Sequence, residues 1–510
     1  MSSVQAETYG AGNNGTGKEE DRMKKCKSML CCLFAGVLLA SLLSACGKKP
    51  PTETTTDEPT GAATEDYLDD LENYNFGGAE FNVLSVTSQP GTYTQFDSDG
   101  LGGTVLDDAV YRRNREIEAR FNIVFYDEYD IYQKCYTRFN TQFFANDNGP
   151  DSFDLIMLIN RDAYSAVLQN SVLPVREIPH IDQTKDYYMH DINEAMTLNG
   201  QQFLCYSDES LYTFQRTTCL VYNQAIAKAN GMPDFYQLVR DGEWTMEEMF
   251  RYMKQVTTVD ETDGSISLYG LYGHGDYMFS TFYAAAGENY VTKTDTSLKF
   301  TALSNERMDR ITNLVLEQMG QGCMGYSYDY VNPDDCYQVF IGGKSLFTGT
   351  VIGKLLLIKD VTGWDYGVLP YPMYEAGQNR YYSRVVDAWL HVAPRYVKNL
   401  ERTGVILEAL ASGSSRHVFP AFYENQISAR SIRDPESKEM LELIRSVRVM
   451  DWGGTVFAST IRSEVEKSVF VEKTDSLGTL CRGLVPVVNA LIKEANDAAE
   501  ALARQTAGDK

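Results

Sequence analysis

Two kinds of hydrophobic pattern alternate in the first part of the chain. Apolar runs at 80–86, 122–126 and 153–158 have the length of buried strands. A stretch at 104–119 instead carries Leu106, Val110 and Ile117 at helical spacing, with charged residues between them. Strands that alternate with helices are typical of βαβ units, so this part predicts a mostly parallel sheet.

The second half of the chain repeats the alternation. Strands are predicted at 218–223, 345–347, 366–370 and 390–394, and helices at 224–230, 400–411 and 484–502. Thr245 with Glu248 has the form of a capping box, and it predicts a helix that buries Met249, Tyr252, Met253 and Val256. Asn199-Gly200 is a type I′ turn signal and predicts a hairpin over 196–205.

A different pattern precedes the globular part. Lys24, Lys25 and Lys27 form a basic patch before the apolar run 29–43, and Leu43-Ser44-Ala45-Cys46 follows. This order is typical of a secretory signal, and the tetrapeptide resembles a bacterial lipobox, which implies that Cys46 receives the lipid. The alternative is a short membrane helix, but the run falls short of the roughly 20 residues that a span needs.

These patterns divide the chain into four parts. Residues 1–22 are interpreted as an upstream extension, 23–45 as the signal peptide, 46–75 as the lipidated cysteine with a polar, threonine-rich tether, and 76–510 as the folded part. With 510 residues, 43% of them hydrophobic, the chain is long enough for more than one compact unit.

Charge and cysteine usage narrow the class of protein. The net charge of −24 argues against nucleic acid as a partner, because binding it requires basic patches.

The cysteines after Cys46 show no CxxC pair and no zinc-site spacing. Free thiols are favoured for them, because a chain of this length does not need disulfides for stability. These six cysteines are Cys135, Cys205, Cys219, Cys323, Cys336 and Cys481.

Motifs for catalysis or metal binding are missing from the sequence. None of the five histidines lies in an H-E-x-x-H pattern, and there is no G-x-S-x-G elbow. Gly342-Gly343-Lys344-Ser345 predicts a turn before a strand, because Gln338 stands where a phosphate loop needs its first glycine. We therefore predict no metal, no cofactor and no enzymatic activity.

Aromatic residues are the remaining candidate chemistry. The chain has 33 tyrosines, and some of its aromatic residues stand beside polar ones in predicted loops, as in 275–279, 381–384 and 387–389. Flat rings next to hydrogen-bonding groups suit a polyhydroxylated ligand.

At this point the chain resembles an extracellular solute-binding protein of an ABC importer, in the family 1 class that includes maltodextrin-binding proteins. The resemblance rests on the order and spacing of 109–118, 121–124, 153–156, Leu173-Pro174, 221–223, 242–245, 269–271, Gly343-Lys344 with Phe347, and 366–372. It departs from maltodextrin binders at Leu158, where those proteins place a stacking tryptophan, and this argues against a long glucan.

The resemblance implies the type II periplasmic-binding-protein fold: two mixed α/β lobes joined by a hinge, with the ligand cleft between them. Lobe 1 would comprise about 76–217 and 392–435, lobe 2 about 224–384 and 436–510, with crossings near 216–223 and 385–392. Carried over by position, the ligand-binding candidates are Gln95, Asp97, Asn160, Arg161, Asp162, Tyr222, Asn223, Tyr277, Phe279, Thr348, Arg384, Asp387, Trp389 and Trp452.

The expected function is therefore a monomeric receptor, lipid-anchored on the outer face of a Gram-positive membrane, that delivers a carbohydrate such as an oligosaccharide to the permease subunits. Two alternatives stay open. Arg161 and Arg384 would suit a charged ligand such as an acidic sugar or a peptide. A surface enzyme acting on glycans would need two carboxylates about 5–10 Å apart across a groove.

One prediction concerns the start of translation. Residues 1–22 would place acidic residues ahead of the basic patch, whereas Met23 is followed directly by Lys24-Lys25. We expect Met23 to initiate the precursor, because a signal peptide begins with its basic region. Intact-mass analysis of the precursor checks this, and a mass that includes Met1 would contradict it.

Overall fold

The computed structural model describes residues 68, 71, 73–88, 93–145, 152–329, 332–359, 363–428, 432 and 434–508. The predicted extension, signal peptide, Cys46 and most of the tether lie outside these residues. Residues 65–510 group as one unit.

Strands and helices alternate along this unit. The strands are β1 (Ala79–Val86), β2 (Ile123–Asp130), β3 (Leu155–Ile159), β4 (Thr218–Asn223), β5 (Thr258–Val259), β6 (Ile266–His274), β7 (Val291–Lys293), β8 (Leu298–Phe300), β9 (Met324–Ser327), β10 (Ser345–Val351), β11 (Tyr366–Leu369), β12 (Ser383–Arg384), β13 (Trp389–Val392) and β14 (Arg448–Val449). The α-helices are α1 (Val105–Phe121), α2 (Tyr132–Phe144), α3 (Asn160–Leu168), α4 (His190–Met196), α5 (Tyr212–Gln215), α6 (Gln224–Ala229), α7 (Phe235–Asp241), α8 (Met246–Val256), α9 (Gly275–Ala285), α10 (Glu306–Gly320), α11 (Tyr337–Ile341), α12 (Leu355–Ile358), α13 (Leu400–Gly413), α14 (Pro435–Ser446), α15 (Arg462–Val465) and α16 (Leu477–Gly508). Short 3₁₀ segments occur at Val175–Glu177, Ala302–Ser304, Pro333–Cys336 and Ile352–Lys354, and π-helical segments at Ser414–Val418, Ala421–Ser428 and Glu466–Val471.

A sheet of four strands in the order β13-β3-β1-β2 forms the centre of the first lobe. β1 pairs in parallel with β2 and β3, whereas β13 runs antiparallel to β3. Phe81 and Leu155 of this sheet share one apolar core with Ile117 of α1 and Val405 of α13. The sequence between residues 76 and 160 therefore needs the much later segment 389–413 to complete its lobe.

A mixed sheet in the order β11-β4-β10-β6-β5, with β9 beside β6, forms the centre of the second lobe. β6 pairs in parallel with β10 and β9, and β4 is antiparallel to both β10 and β11. Trp244 anchors this core: its ring is fully buried, and its Nε1 donates to the Pro370 carbonyl at 3.0 Å.

Three chain segments run side by side where the lobes meet. Thr217 forms an antiparallel bridge with Val385, and the Val386 amide donates to the Arg216 carbonyl at 3.1 Å. β12 then pairs in parallel with β14, so a third segment near 447–449 joins the two crossings predicted from the sequence.

The predicted turn and the predicted capping box are each confirmed only in part. Asn199 and Gly200 both adopt the positive φ of a type I′ turn, but a single bridge between Leu198 and Gln201 replaces the predicted hairpin. Thr245 caps α8 as predicted, whereas the Glu248 side chain binds Arg251 instead of turning back to the cap.

The cysteines and the helices can be compared with two expectations from the sequence, free thiols and the absence of a membrane span in the folded part. All six cysteines that follow Cys46 have free thiols, as expected for a chain of this length, and all except the partly exposed Cys205 are buried. Among the described residues, no helix combines the length and the apolar character needed to cross a membrane.

Gly367 in β11 provides a test of the second-lobe packing. A Cβ at this position would lie 2.0 Å from the Tyr236 hydroxyl and 2.3 Å from Cε1 of Tyr222. Because Asp434 and Ser437 hold the Tyr236 hydroxyl, the ring cannot move away freely. We expect Gly367→Ala to lower the free energy of unfolding by about 3 kcal/mol, measured by chemical denaturation.

The matched control is Gly320→Ala. A Cβ at Gly320, the last residue of α10, would meet no atom within 4 Å. This variant should keep or slightly raise the stability, because alanine is the better helix former. Equal losses in both variants would contradict the packing argument.

Candidate functional site

The candidate site lies at the carboxyl ends of parallel strands from both sheets. β3 leads directly into α3, and β6 leads directly into α9. In open α/β sheets, ligands bind in the crevice outside the carboxyl ends of the strands. The start of β13 joins this region, because Trp389 pairs with Ile159 at the end of β3.

Arg216 links the crossing segments to the second lobe. Its Nε donates to Asp387 Oδ1 at 2.8 Å and its Nη2 to Oδ2 at 3.3 Å, so the pair is bidentate. Its Nη1 donates to the Tyr277 hydroxyl at 2.8 Å, at the start of α9. Burial acts to lower the pKa of Arg216, but the charge of Asp387 outweighs it and raises the pKa. We call these three residues the Arg216 clamp.

An aromatic platform stands beside the clamp. The ring of Trp389 stacks on that of Tyr212 with centroids 4.2 Å apart and planes inclined by 9°, and Tyr132 lies 5.8 Å away. Trp389 Nε1 has no hydrogen-bond partner among the described residues. Trp389 and Tyr212 are each 5% exposed, so this structure encloses a stacked aromatic pair together with that unsatisfied donor.

A buried ionic group lies behind the clamp on the second-lobe side. Arg462 Nη1 is 3.7 Å from Asp276 Oδ1 and 3.4 Å from Glu466 Oε2. Arg384 donates to the Asp276 carbonyl at 2.9 Å. Burial acts to raise the pKa of Asp276, but Arg462 and other nearby cations outweigh it and lower the pKa. Arg462 is thus paired with two carboxylates, whereas Arg384 binds only backbone and hydroxyl oxygens and its Nη2 has no hydrogen-bond partner among the described residues.

A groove runs along α3 and faces the C-terminal part of the chain. Its volume is about 380 Å³, within the range of small-molecule sites. We call it the α3–α16 groove, and it is lined by Arg161, Asp162, Tyr164, Ser165, Leu168, Gln169, Val456, Phe457, Ser459, Thr460, Leu491 and Glu494. The two regions adjoin, because Arg161 lies two residues after Ile159, which pairs with Trp389 of the platform.

The structure brings several of the sequence-predicted residues together. Tyr277 and Asp387 belong to the clamp, Trp389 to the platform, and Arg161 and Asp162 to the groove. Asn160 begins α3 next to them, with its amide donating to the Ala388 carbonyl at 2.8 Å.

Two further predicted residues lie elsewhere on the first lobe. Gln95 and Asp97 line another pocket, together with Asp107, Asp127 and Tyr129. Asp97 is held there by Arg115 at 2.6 Å.

The other predicted residues have packing or capping contacts. Tyr222 lies between Phe235 and Tyr236 in the second-lobe core, and the Asn223 side chain caps α6 by accepting from the Ile226 amide at 3.0 Å. Phe279 stacks on Phe470 at 4.6 Å.

Thr348, Arg384 and Trp452 are likewise enclosed by protein. Thr348 is fully buried in β10, and Arg384 is buried in the ionic group. Trp452 Nε1 donates to the Ala195 carbonyl at 3.1 Å, and its ring meets Tyr164 edge-on at 5.3 Å. Trp452 therefore supports the groove from beneath.

Sequence reasoning missed Arg216, Tyr212, Arg462 and Glu494 as site residues. Arg216 marked the edge of the first predicted crossing, so its position carried a signal. Tyr212 is one of 33 tyrosines, and Glu494 lies on an exposed helix face, so neither stands out in the sequence. Among the described residues, no group of three or more His, Cys, Asp or Glu side chains is arranged to hold a metal ion.

No protein-family model and no curated protein matches this chain. Solved structures do match it over most of its length. UgpB from Mycobacterium tuberculosis in complex with glycerophosphocholine is 15% identical, with a TM-score of 0.54 over 82% of this chain and 99% of that chain. An ABC substrate-binding protein from Listeria monocytogenes in complex with cycloalternan is 15% identical, with a TM-score of 0.52 over 82% and 99%. The sugar-binding protein MalE from Xanthomonas citri is 12% identical, with a TM-score of 0.55 over 85% and 100%.

At these identities the likeness concerns the fold. The chain has the two-lobe α/β fold of these binding proteins, with its lobes joined at the crossing segments. The fold class predicted from the sequence is therefore confirmed.

Proposed function

We propose that this protein is the extracytoplasmic solute-binding receptor of an ABC importer and that it captures a carbohydrate. The observation that carries the proposal is the Trp389–Tyr212 platform beside the Arg216 clamp, at the junction of the two lobes. Stacked rings next to charge-assisted hydrogen bonds suit a sugar, which has apolar ring faces and a polar rim. The sugar-binding MalE and the cycloalternan complex, which share the fold, add support.

The proposal extends to the delivery of the ligand. The predicted lipid on Cys46 would hold the monomeric receptor at the outer face of a Gram-positive membrane, beside the permease subunits. A ligand that contacts both lobes favours their closed arrangement by its differential affinity for that state. The closed receptor would then be the form that the permease accepts.

The charged-ligand alternative receives less support from the site. Arg216 is neutralised by Asp387, and Arg384 is 4% exposed and donates to the Asp276 carbonyl, with its Nη2 left without a hydrogen-bond partner among the described residues. An acidic sugar or peptide would have to displace Asp387 from Arg216, at the cost of leaving that carboxylate unpaired, or reach the buried Arg384.

The enzyme alternative also meets an obstacle at the clamp and the ionic group. Asp387 and Asp276 both lie beside arginines, and Asp276 has a lowered pKa. A glycosidase needs one carboxyl group with a raised pKa as its general acid. Burial raises the pKa of Glu466 to about 7, but this carboxyl group is 2% exposed and is bonded to Ser280 and Arg462 inside the ionic group. We therefore propose binding without turnover.

A thermal-shift screen against neutral sugars, uronic acids and peptides tests the proposed function. A true ligand raises the melting temperature, because it binds the folded state and not the unfolded chain. We expect the largest shifts from sugars, and recovered ligand should be unchanged on chromatography. Shifts from peptides alone would contradict the carbohydrate receptor, and hydrolysed sugar would favour the enzyme.

Trp389→Ala tests the platform. Loss of the stacking face should weaken the binding of a sugar found in the screen by roughly 1–3 kcal/mol, measured by calorimetry. Trp364→Ala is the matched control, since Trp364 packs against Phe340 in the second lobe. An unchanged dissociation constant in Trp389→Ala would remove Trp389 from the site.

A further inference from the structure

The α3–α16 groove differs in charge from the rest of the site. Asp162 lies at the α3 side of the groove and Glu494 on α16, and Arg161 is the only cation among the described residues that line it. At the Arg216 clamp, by contrast, cation and carboxylate are paired in a bidentate contact. The groove thus has a surplus of negative charge.

The cation of the groove is poorly placed to neutralise Asp162. Arg161 Nε is 3.9 Å from Asp162 Oδ1, which is beyond hydrogen-bond distance. Burial of Asp162 raises its pKa despite the charge of Arg161. Lys493, the neighbour of Glu494 in the sequence, is exposed and binds Asp497.

Tyr164 supplies a second, independent observation. Its side chain lines the groove and is 4% exposed, and its hydroxyl has no hydrogen-bond partner among the described residues. Burial, and to a lesser extent the charge of Glu494, raises the pKa of Tyr164. The Glu494 carboxylate therefore interacts electrostatically with the Tyr164 hydroxyl. A buried hydroxyl without a partner costs free energy unless a ligand satisfies it.

We propose that the α3–α16 groove is a subsite for an ammonium group and that the ligand is an amino sugar or an oligosaccharide containing one. This inference rests on the proposed function and narrows its ligand. Asp162 and Glu494 would accept hydrogen bonds from the ammonium group, and the Tyr164 hydroxyl would bind a neighbouring hydroxyl of the sugar. Phe457 and Leu491 provide apolar surface for a ring face. The net charge of −24 also favours the approach of a cation.

Calorimetry with matched sugars tests this subsite. The probes are glucose, galactose and mannose, the corresponding 2-amino and 2-acetamido sugars, and the β-1,4-linked tetramers of glucose and glucosamine. We expect an amino sugar to bind about fivefold more tightly than its neutral parent in low salt, with a smaller difference in high salt. Acetylation should remove the advantage, because it removes the charge.

Two variants locate the effect. Glu494→Gln should weaken binding of the amino sugar more than that of its neutral parent and so abolish the preference for the amino sugar. Glu500→Gln is the matched control, since Glu500 is exposed on the same helix and pairs with Arg504. Tyr164→Phe should keep the melting temperature and weaken binding of the amino sugar, because the hydroxyl has no hydrogen-bond partner among the described residues that its removal would break.

The possible outcomes separate the two proposals. If neutral sugars bind at least as tightly as amino sugars, the ammonium subsite is wrong and the carbohydrate receptor stands. An equal loss in Glu494→Gln and Glu500→Gln would assign the preference to overall charge and overturn the subsite. If neither this panel nor the broader screen contains a sugar that binds, both proposals fail.

Discussion

The bidentate contact between Arg216 and Asp387 is the interaction on which the arrangement of the site depends. Arg216 ends the segment that leads into β4, and Asp387 lies on the return segment that leads into β13. Because Arg216 also donates to Tyr277, one guanidinium group connects both crossings and the first turn of α9. A planar group with several fixed donors can hold three chain segments at defined angles, which a lysine ammonium cannot do.

The clamp also determines what remains available to a ligand. With Arg216 neutralised internally, the groups left at the junction are the stacked rings of Trp389 and Tyr212, each 5% exposed, and the Nε1 donor of Trp389. The groove along α3 has the opposite character, since its carboxylates exceed its cations. On the proposed function, the two halves of the site would select for different features: stacking and neutral hydrogen bonds at the platform, and positive charge in the groove.

Sequence reasoning recovered the elements whose pattern is local. β3 is an uninterrupted apolar run, β1 and β4 are predominantly apolar, and the predicted bounds of all three agree with the structure within two residues. Two-residue strands such as β12 and β14 carry no pattern of their own, so the third crossing segment was missed. Phe279 was assigned to a loop because polar residues precede it, yet it lies in the buried helix α9. Among the candidate site residues, Asp387 and Trp389 lie in the second predicted crossing and Tyr277 lies in the aromatic stretch 275–279, whereas Glu494 has no local feature that distinguishes it from other exposed glutamates.

The three-segment junction also determines when the protein can fold. The first lobe lacks β13 and α13 until residue 413 has been made, and the junction lacks β14 until residue 449. Contacts between such distant segments form slowly, because the intervening chain must first close large loops. A nascent chain of this sequence therefore stays incompletely folded until most of it has been synthesised. During most of its synthesis the chain is still extended enough to pass through a narrow channel.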